Sequence, residues 1–284
     1  MSYIVLNGKL VEKEKACLPV DDRGFLLGDG VFETMRSYGR KLFRYEDHLK
    51  RLENACHALS LNPPASHELD SMIGELFKKN ELDSARVRLT VTRGRHTGGM
   101  GLYNSEESTL IITAEPLPPA LLERDRPPVS LAGADVYFTN DNPIYKHKTI
   151  NRLPHLSART QAEKKGADEA LILDHMGNVA CTSTGNLFAV QYEQLFTAPL
   201  TGPVLPGITR KTVLELAREE GIPLREDFFS PLLPASADEL FMTNSVQEIV
   251  PVVKVNDTQV GSGRPGPVTL KLMDKYRQAA ESSS

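Results

Sequence analysis

The stretch KTINRL, Lys148–Leu153, decides the fold, because it places a lysine just before the start of a helical pattern. Two other short motifs follow downstream: LPGITR at Leu205–Arg210 and TNS at Thr243–Ser245. A lysine amine forms an imine with an aldehyde, and turns that present backbone N–H groups hold a phosphate. The three motifs together therefore predict a site for a phosphorylated aldehyde cofactor.

These motifs resemble the class IV aminotransferase family, the pyridoxal-phosphate enzymes of fold type IV. The likeness extends from DRGF at Asp22–Phe25 to GPVT at Gly266–Thr269, and so covers nearly the whole chain. The family includes branched-chain and D-amino-acid aminotransferases and aminodeoxychorismate lyase. The resemblance implies a two-domain α/β (α+β) fold, like that of D-amino-acid aminotransferase, a homodimer, and pyridoxal 5'-phosphate as the cofactor.

Composition and charge limit the classes to which the chain belongs. Its 284 residues are 40% hydrophobic and 25% charged, which is ordinary for a globular protein. The net charge of −4 gives no general attraction to nucleic acid or acidic membranes, so neither is predicted as a partner. Cys17, Cys56 and Cys181 have neither disulfide nor metal-site spacing. With no signal-peptide pattern at the start, the sequence predicts a cytoplasmic protein without a metal.

Hydrophobic patterns predict two mixed α/β parts. Asn7-Gly8 suits a tight hairpin turn, and helices are predicted at 45–60, 67–79, 153–165, 208–220 and 268–279. The stretch at 116–128 is rich in proline and has no periodicity, as is typical of a linker. The sequence therefore predicts an N-terminal domain at 1–115, a linker at 116–128 and a C-terminal domain at 129–284. The C-terminal domain is expected to carry Lys148 and most of the phosphate-binding residues.

Lys148 and Arg51 each have two interpretations. Most lysines are solvated, but the KTINRL motif and the order of the downstream motifs make Lys148, rather than Lys146, the candidate Schiff-base lysine. Arg51 lies either on the wet face of an amphipathic helix or, as the resemblance implies, on the cofactor phosphate, to which a guanidinium can donate two hydrogen bonds.

The remaining phosphate ligands are expected in the two downstream motifs. Gly207, Ile208 and Thr209 open a helix, and backbone N–H groups at a helix start bind anions. The resemblance implies that the N–H groups of Ile208 and Thr209, together with the Thr209 hydroxyl, hold the phosphate. It also implies a second half of the phosphate site at Asn244 and Ser245. An ordinary capped helix is the alternative for the first motif.

Cys181 departs from the family pattern. The family carries a glutamate five residues before the asparagine of NLF, Asn186–Phe188, and its carboxylate keeps a proton on the pyridine nitrogen. A thiol forms only weak hydrogen bonds and has an ordinary pKa of about 8.5. Either the enzyme works with a weaker electron sink, or it has changed reaction, or Cys181 is a small buried hydrophobe. In the last case water or Thr182 contacts the ring nitrogen.

The substrate side is less well defined. Phe32 lies on a strand that lines the substrate pocket in relatives, and the glycine-rich loop at 93–103 contains Met100. That loop matches neither the Arg-x-His carboxylate trap of D-amino-acid aminotransferases nor the arginine of some aminodeoxychorismate lyases. Arg36, Arg93 and Arg95 are the alternatives for binding a substrate carboxylate.

Three functions follow from these residues. The leading prediction is a pyridoxal-phosphate-dependent aminotransferase that moves an amino group from a small amino acid or amine to a 2-oxo acid through Lys148. The second is aminodeoxychorismate lyase, which releases pyruvate and leaves 4-aminobenzoate in the folate pathway. The third is a non-catalytic protein on the same fold, because a fold does not by itself fix a function.

Overall fold

The computed structural model describes residues 2–95, 98–102, 107–123 and 126–282, which form two compact units. The first unit contains the chain up to Pro119 together with His147–Asn151, and the second contains Ala120–Lys146 and Arg152–Ser282. The sequence predicts Lys148 in the C-terminal domain, whereas its segment groups with the first unit. The linker at 116–128 stays a prediction, and two of its residues, Arg124 and Asp125, lie outside the described residues.

The first unit is built on an antiparallel sheet of six described strands. They are β1 (Tyr3–Leu6), β2 (Lys9–Glu12), β3 (Gly30–Tyr38), β4 (Lys41–Leu42), β5 (Ala85–Thr92) and β6 (Thr109–Pro116), in the spatial order β2-β1-β6-β5-β3-β4. The helices are α1 (Arg23–Leu27), α2 (Tyr45–Ala58) and α3 (Ser66–Lys79).

Local sequence explains this unit well. Asn7 and Gly8 have φ angles of 49° and 77°, the left-handed values that a tight hairpin between β1 and β2 requires. The helices predicted at 45–60 and 67–79 are confirmed as α2 and α3. Each buries one apolar stripe, which for α3 includes Leu69, Ile73 and Leu76.

The second unit is a mixed sheet flanked by helices. Its described strands are β7 (Val129–Phe138), β8 (Glu169–Asp174), β9 (Val179–Thr182), β10 (Asn186–Gln191), β11 (Gln194–Thr197), β12 (Leu224–Glu226), β13 (Glu239–Asn244), β14 (Glu248–Val255) and β15 (Thr258–Gln259). The spatial order is β12-β11-β10-β13-β14-β7-β8-β9, and β15 pairs with β14. The helices are α4 (Leu153–Lys164), α5 (Ile208–Glu219), α6 (Leu232–Ser236) and α7 (Pro267–Ser282).

The predicted α/β fold class is confirmed, and α4, α5 and α7 match three predicted helices to within a few residues. The long strand β7 was not predicted. Its central residues Ala132, Gly133 and Ala134 are small, so the strand lacks the strong alternation of large apolar and polar residues that marks a strand in sequence. None of the described helices is long and apolar enough to cross a membrane.

Candidate functional site

Lys148 is held in place by backbone hydrogen bonds between its segment and β3. The N–H of Phe32 donates to the carbonyl of Lys148 at 2.9 Å, and the N–H of Ile150 donates to the carbonyl of Gly30 at 3.0 Å. The Lys148 Nζ atom lies 4.6 Å from the centre of the Phe32 ring, within the range of a cation–π contact. The candidate lysine is thus fixed by a strand and faces an aromatic ring.

Next to Phe32, Glu33 forms a buried ionic cluster with two residues of α2. Arg51 donates from Nε and Nη2 to the two carboxylate oxygens at 2.7 and 2.6 Å, and His48 Nδ1 lies 2.7 Å from Oε2. Burial opposes ionisation of Glu33, but the charges and hydrogen bonds of Arg51 and His48 hold its pKa well below its ordinary value. Burial is also the main reason why the pKa of His48 is lowered, despite its contact with Glu33.

This cluster changes the interpretation of Arg51. Only 9% of the residue is exposed, so it does not lie on the wet face of α2. Its paired hydrogen bonds to Glu33 fix the plane of the guanidinium. Sequence reasoning missed His48, although His48 and Arg51 are three residues apart on a helix and therefore face the same side. Phosphate binding by Arg51 stays a prediction.

In the second unit, Asn186 brings the downstream motifs together. It pairs with Thr243 across β10 and β13, and its Nδ2 donates to the carbonyl of Leu205 at 3.0 Å. Gly207 packs so closely that a Cβ atom there would lie 2.1 Å from the Asn186 Oδ1 atom. Only glycine allows this approach, so Asn186 anchors the loop that leads into α5.

The start of α5 fits an anionic group. Gly207 precedes the helix and has no side chain to cap it, and the first N–H groups of a helix have no partner within the helix. Thr209 and Thr243 are buried, and their Oγ1 atoms have no hydrogen-bond partner among the described residues. Buried hydroxyls are normally hydrogen-bonded, so these two residues fit the phosphate of the cofactor that the resemblance implies.

Asn244 has another role within the structure. Its Oδ1 accepts hydrogen bonds from the N–H groups of Val246 and Gln247, and its Nδ2 donates to the Gln247 side chain at 2.8 Å. These bonds shape the turn that contains Ser245. Thr243, which sequence reasoning did not single out, is therefore a stronger candidate than Asn244 for side-chain contact with a ligand, while Ser245 stays a prediction.

We expect Thr209→Val to weaken cofactor binding without weakening the fold. The change keeps the shape of the side chain, removes a buried hydroxyl that lacks a partner among the described residues, and removes a charge-assisted hydrogen bond of roughly 1.5–3 kcal/mol to a bound phosphate. That corresponds to a rise in Kd for pyridoxal phosphate of about 10- to 100-fold. Spectroscopic titration measures the Kd, and melting of the cofactor-free protein measures stability.

Thr212→Val is the matched control. Thr212 lies on the same helix and is buried, but its hydroxyl donates to the Ile208 carbonyl at 3.1 Å. Its replacement should leave the cofactor Kd unchanged. Equal affinities of the Thr209→Val variant and the unaltered protein would remove the Thr209 hydroxyl from the phosphate site.

The surroundings of Cys181 favour the interpretation of a small buried hydrophobe. The residue lies on β9 opposite Ile172 of β8, in a cluster of buried apolar residues that includes Phe138 and Ala158. Burial raises the pKa of the thiol to about 12, although the nearby charge of Arg152 acts in the opposite direction. At neutral pH the side chain is thus a protonated thiol, without the negative charge of the family's glutamate.

The carboxylate of Glu169, near Cys181, already accepts hydrogen bonds from neighbouring protein groups. Glu169 on β8 accepts hydrogen bonds from the hydroxyls of Ser183 and Thr184, the latter at 2.5 Å, and from Arg159 at 3.1 Å. It also accepts from the N–H of Ser183 at 3.1 Å. Glu169 therefore fixes the turn that follows Cys181 and does not offer a free oxygen in place of the missing glutamate.

The arginine candidates for a substrate carboxylate differ in their environments. Arg93 is buried and donates to Asp29 and to the carbonyls of Leu59 and Ser60, which favours a structural role. Arg95 is exposed and pairs with Asp21 at 3.1 Å.

Arg36 and Met100 complete the predicted substrate set. Arg36 is buried on β3, with its guanidinium carbon 4.8 Å from the centre of the Tyr38 ring. Met100 is exposed in the glycine-rich loop. Of the rest of that loop, His96, Thr97 and Tyr103 lie outside the described residues. Contact of these candidates with a substrate stays a prediction.

Comparison with known proteins places these features in a family. The model of the class IV aminotransferases matches residues 30–255. A Methanocaldococcus jannaschii protein with the provisional name branched-chain-amino-acid aminotransferase is 34% identical, over 96% of this chain and 95% of its own length. D-alanine aminotransferase of Staphylococcus haemolyticus is 28% identical over the full length of both chains.

Solved structures of similar fold include members of the same family. The branched-chain amino acid aminotransferase from Escherichia coli has a TM-score of 0.88 and 31% identity, covering 100% of this chain and 95% of that chain. A Legionella pneumophila protein with the provisional name 4-amino-4-deoxychorismate lyase has a TM-score of 0.86 and 26% identity, covering 94% and 97%. The fold alone therefore does not separate the two activities.

The family match spans most of the chain, and the first of these relatives is more than 30% identical over nearly its whole length. Lys148 on its strand-bound segment and the threonine hydroxyls beside α5, which lack partners among the described residues, are compatible with the pyridoxal phosphate that the family uses. The resemblance inferred from the sequence is confirmed: the chain belongs to the class IV aminotransferases, which are pyridoxal-phosphate-dependent enzymes.

Proposed function

We propose that this aminotransferase takes the amino group of a branched-chain amino acid and transfers it to a 2-oxo acid. The observation that carries the proposal is the Lys148 amine, which the backbone of β3 holds with its Nζ 4.6 Å from the centre of the Phe32 ring, a ring that also contacts the Arg88 guanidinium. The names of the two relatives found by sequence support transamination, and the lyase name occurs on one of the two solved structures described above, the one with the lower sequence identity. D-alanine is the second candidate donor, because relatives carry that activity in their names. The loop at 93–103 argues against it, since it lacks the Arg-x-His trap.

The residues divide the chemistry as follows. Pyridoxal phosphate supplies the aldehyde that takes up the amino group and the ring that draws electrons from the α-carbon. Lys148 attaches the cofactor and, when released, moves the proton at the substrate α-carbon. Ile208 and Thr209 at the start of α5 bind the phosphate, and in the first unit Glu33 fixes the orientation of the Arg51 guanidinium. The buried Phe32 ring contacts the Lys148 amine and the guanidinium of Arg88, whose carbon lies 3.8 Å from the ring centre, and so helps to position the amine.

Product analysis tests the proposal. The purified protein with pyridoxal phosphate is incubated with L-leucine, L-valine or D-alanine and with 2-oxoglutarate or pyruvate, and separately with aminodeoxychorismate. We expect a branched-chain 2-oxo acid and glutamate as the products. Release of pyruvate and 4-aminobenzoate, without amino transfer from any amino acid, would reverse the assignment in favour of the lyase.

A homodimer and a cytoplasmic location are part of the proposal. Among the residues that the structure describes, the first unit exposes seven large apolar side chains in two short stretches of sequence: Leu18, Val20, Phe25, Leu26, Leu27, Met100 and Leu102. Arg23 on α1 ties both stretches together by donating to the carbonyls of Gly99 and Gly101 at 3.0 and 3.2 Å. Large exposed apolar patches mark interfaces between proteins, so these side chains support the homodimer.

The cytoplasmic location is supported by the three cysteines, which form no disulfide and therefore suit a reducing compartment.

We expect Phe25→Asp to dissociate the dimer. Phe25 is 75% exposed in the chain, and an unpaired charge buried in an apolar interface is strongly unfavourable because it loses its hydration. Sedimentation equilibrium should therefore show the mass of one chain at micromolar concentration. Leu232→Asp changes an equally exposed leucine in the second unit and should leave the mass of the dimer unchanged. A dimer that survives Phe25→Asp would exclude this patch as the interface.

A further inference from the structure

A cavity in the first unit contains none of the residues assigned to the cofactor or the substrate. It has a volume of about 690 Å³ and lies among β4, α2 and α3. Its walls are formed by Arg40, Lys41, Leu42, Tyr45, Asp70, Ile73, Gly74, Phe77 and Lys78. Cavities of this volume are typical of sites for small organic molecules.

The α3 wall contains an unexplained glycine. Residues 70, 73, 74, 77 and 78 follow one another at helical spacing and form a single stripe along α3. Gly74 lies in the middle of this stripe, where glycine destabilises a helix relative to alanine. A Cβ atom at Gly74 would meet no atom within 4 Å, and the residue does not have a positive φ. Neither crowding nor backbone geometry within the chain explains the glycine, which keeps the cavity open.

Charge and polarity indicate the kind of molecule that fits. Leu42, Ile73 and Phe77 supply an apolar surface. Lys41 and Lys78 at the exposed side form no ion pair with any described residue, and Arg40 is paired with Asp83 at 2.6 Å. These two cations outnumber the single Asp70 carboxylate of the cavity wall, so the cavity has a net positive charge and attracts an anion with an apolar body.

Tyr45 adds a hydrogen-bond donor. Its buried hydroxyl interacts with the Asp70 carboxyl, although not with the geometry of an ordinary hydrogen bond, and a bound carboxylate would compete with Asp70 for its proton. Burial, with the Asp70 carboxyl as a lesser cause, raises the pKa of Tyr45, so the hydroxyl keeps its proton at all physiological pH values. A protonated hydroxyl can donate to a carboxylate oxygen.

We propose that this cavity is a second ligand site, which binds a small carboxylate with an aliphatic or aromatic body. The apolar body packs on Ile73, Phe77 and the space above Gly74, and the carboxylate is bound by Lys41, Lys78 and the Tyr45 hydroxyl. The site is independent of the proposed aminotransferase reaction, because its wall contains none of Phe32, Glu33, His48, Arg51 and Lys148.

Equilibrium dialysis of the cofactor-loaded protein with 2-naphthoate tests the proposal. We expect binding that weakens as salt is added and that is at least tenfold tighter than binding of the neutral 2-naphthylmethanol. Gly74→Leu fills the cavity and should weaken binding at least tenfold without lowering the melting temperature. Lys41→Met with Lys78→Met should also weaken it, whereas Lys50→Met, on the exposed side of α2, should not.

Three results would overturn the proposal. They are the absence of 2-naphthoate binding at low millimolar concentration, equal binding of the alcohol, and an unchanged Kd in the Gly74→Leu variant. A Gly74→Leu variant that alters the oligomeric state but not the Kd would assign the cavity to contact with a second copy instead. Transamination by Gly74→Leu reports separately on the proposed function, which this substitution is not expected to affect.

Discussion

Lys148→Ala is expected to abolish covalent attachment of the cofactor and to lower the transamination rate by at least about 10²- to 10⁴-fold, the loss associated with removal of a general base. The physical reason is the position of the amine. Backbone hydrogen bonds to β3 fix Lys148, and its Nζ lies 4.6 Å from the Phe32 ring centre, so no neighbouring lysine can take over its geometry. Borohydride reduction followed by peptide mass mapping detects the covalent link, and product analysis measures the rate.

Lys146→Ala provides the matched control, because Lys146 lies two residues earlier in the 3-10 turn Pro143–Lys146. Its replacement should preserve both the covalent link and the rate to within a few-fold. A reduced cofactor found on Lys146 of the unaltered protein, or full activity of the Lys148→Ala variant, would refute the assignment of the attachment site.

Glu33→Ala is expected to destabilise the protein by about 3–5 kcal/mol, because it leaves the buried guanidinium of Arg51 without its counter-charge. Chemical denaturation measures the free energy of unfolding. The control Glu53→Ala removes an exposed carboxylate of α2, paired with Lys50, and should cost at most about 1 kcal/mol. If Glu33→Ala lowered the free energy of unfolding by as little as the control does, the cluster would not stabilise the fold.

The ion pair between Glu33 and Arg51 also makes the free energy of unfolding depend on pH. The pKa of Glu33 is lower in the folded than in the unfolded state, so its contribution is fully present above the unfolded value of about 4.3 and is lost as the pH falls below it. The stability difference between the Glu33→Ala variant and the unaltered protein should therefore shrink below about pH 4.3. If Glu33→Ala is too unstable to purify, the double variant Glu33→Ala, Arg51→Ala should be more stable than the single one, since it removes both buried charges.

The sequence predicted the longer helices α2, α3, α4, α5 and α7, because their periodicity is a local pattern, but it did not predict β7. Asn7-Gly8 encodes its turn locally, and the periodicity of α2 is visible in the chain itself. The partner of Arg51 could not be predicted in this way. Glu33 lies 18 residues earlier on a strand, and helical periodicity alone assigns an arginine to solvent. The ion pair with Glu33, a contact between residues distant in sequence, is what buries Arg51.

The same limit applies in the second unit. The TNS motif drew attention to Asn244, but Asn244 is used in its own turn, and the hydroxyl without a partner among the described residues belongs to Thr243. Likewise, Cys181 was visible as a departure from the family pattern. Its apolar surroundings and the commitment of Glu169 to the hydroxyls of Ser183 and Thr184 became known only from the packing of β8 and β9.

The grouping of His147–Asn151 with the first unit bears on the order in which the chain folds during its synthesis. The segment supplies hydrogen bonds to β3, yet the residues on either side of it belong to the second unit. Since domains tend to fold as soon as they are translated, a nascent chain that has passed Pro119 still lacks one neighbour of β3. The ribosome must first produce β7 and the turn after it. Translation therefore delivers the amine of Lys148 together with the last backbone contacts of the unit that holds it.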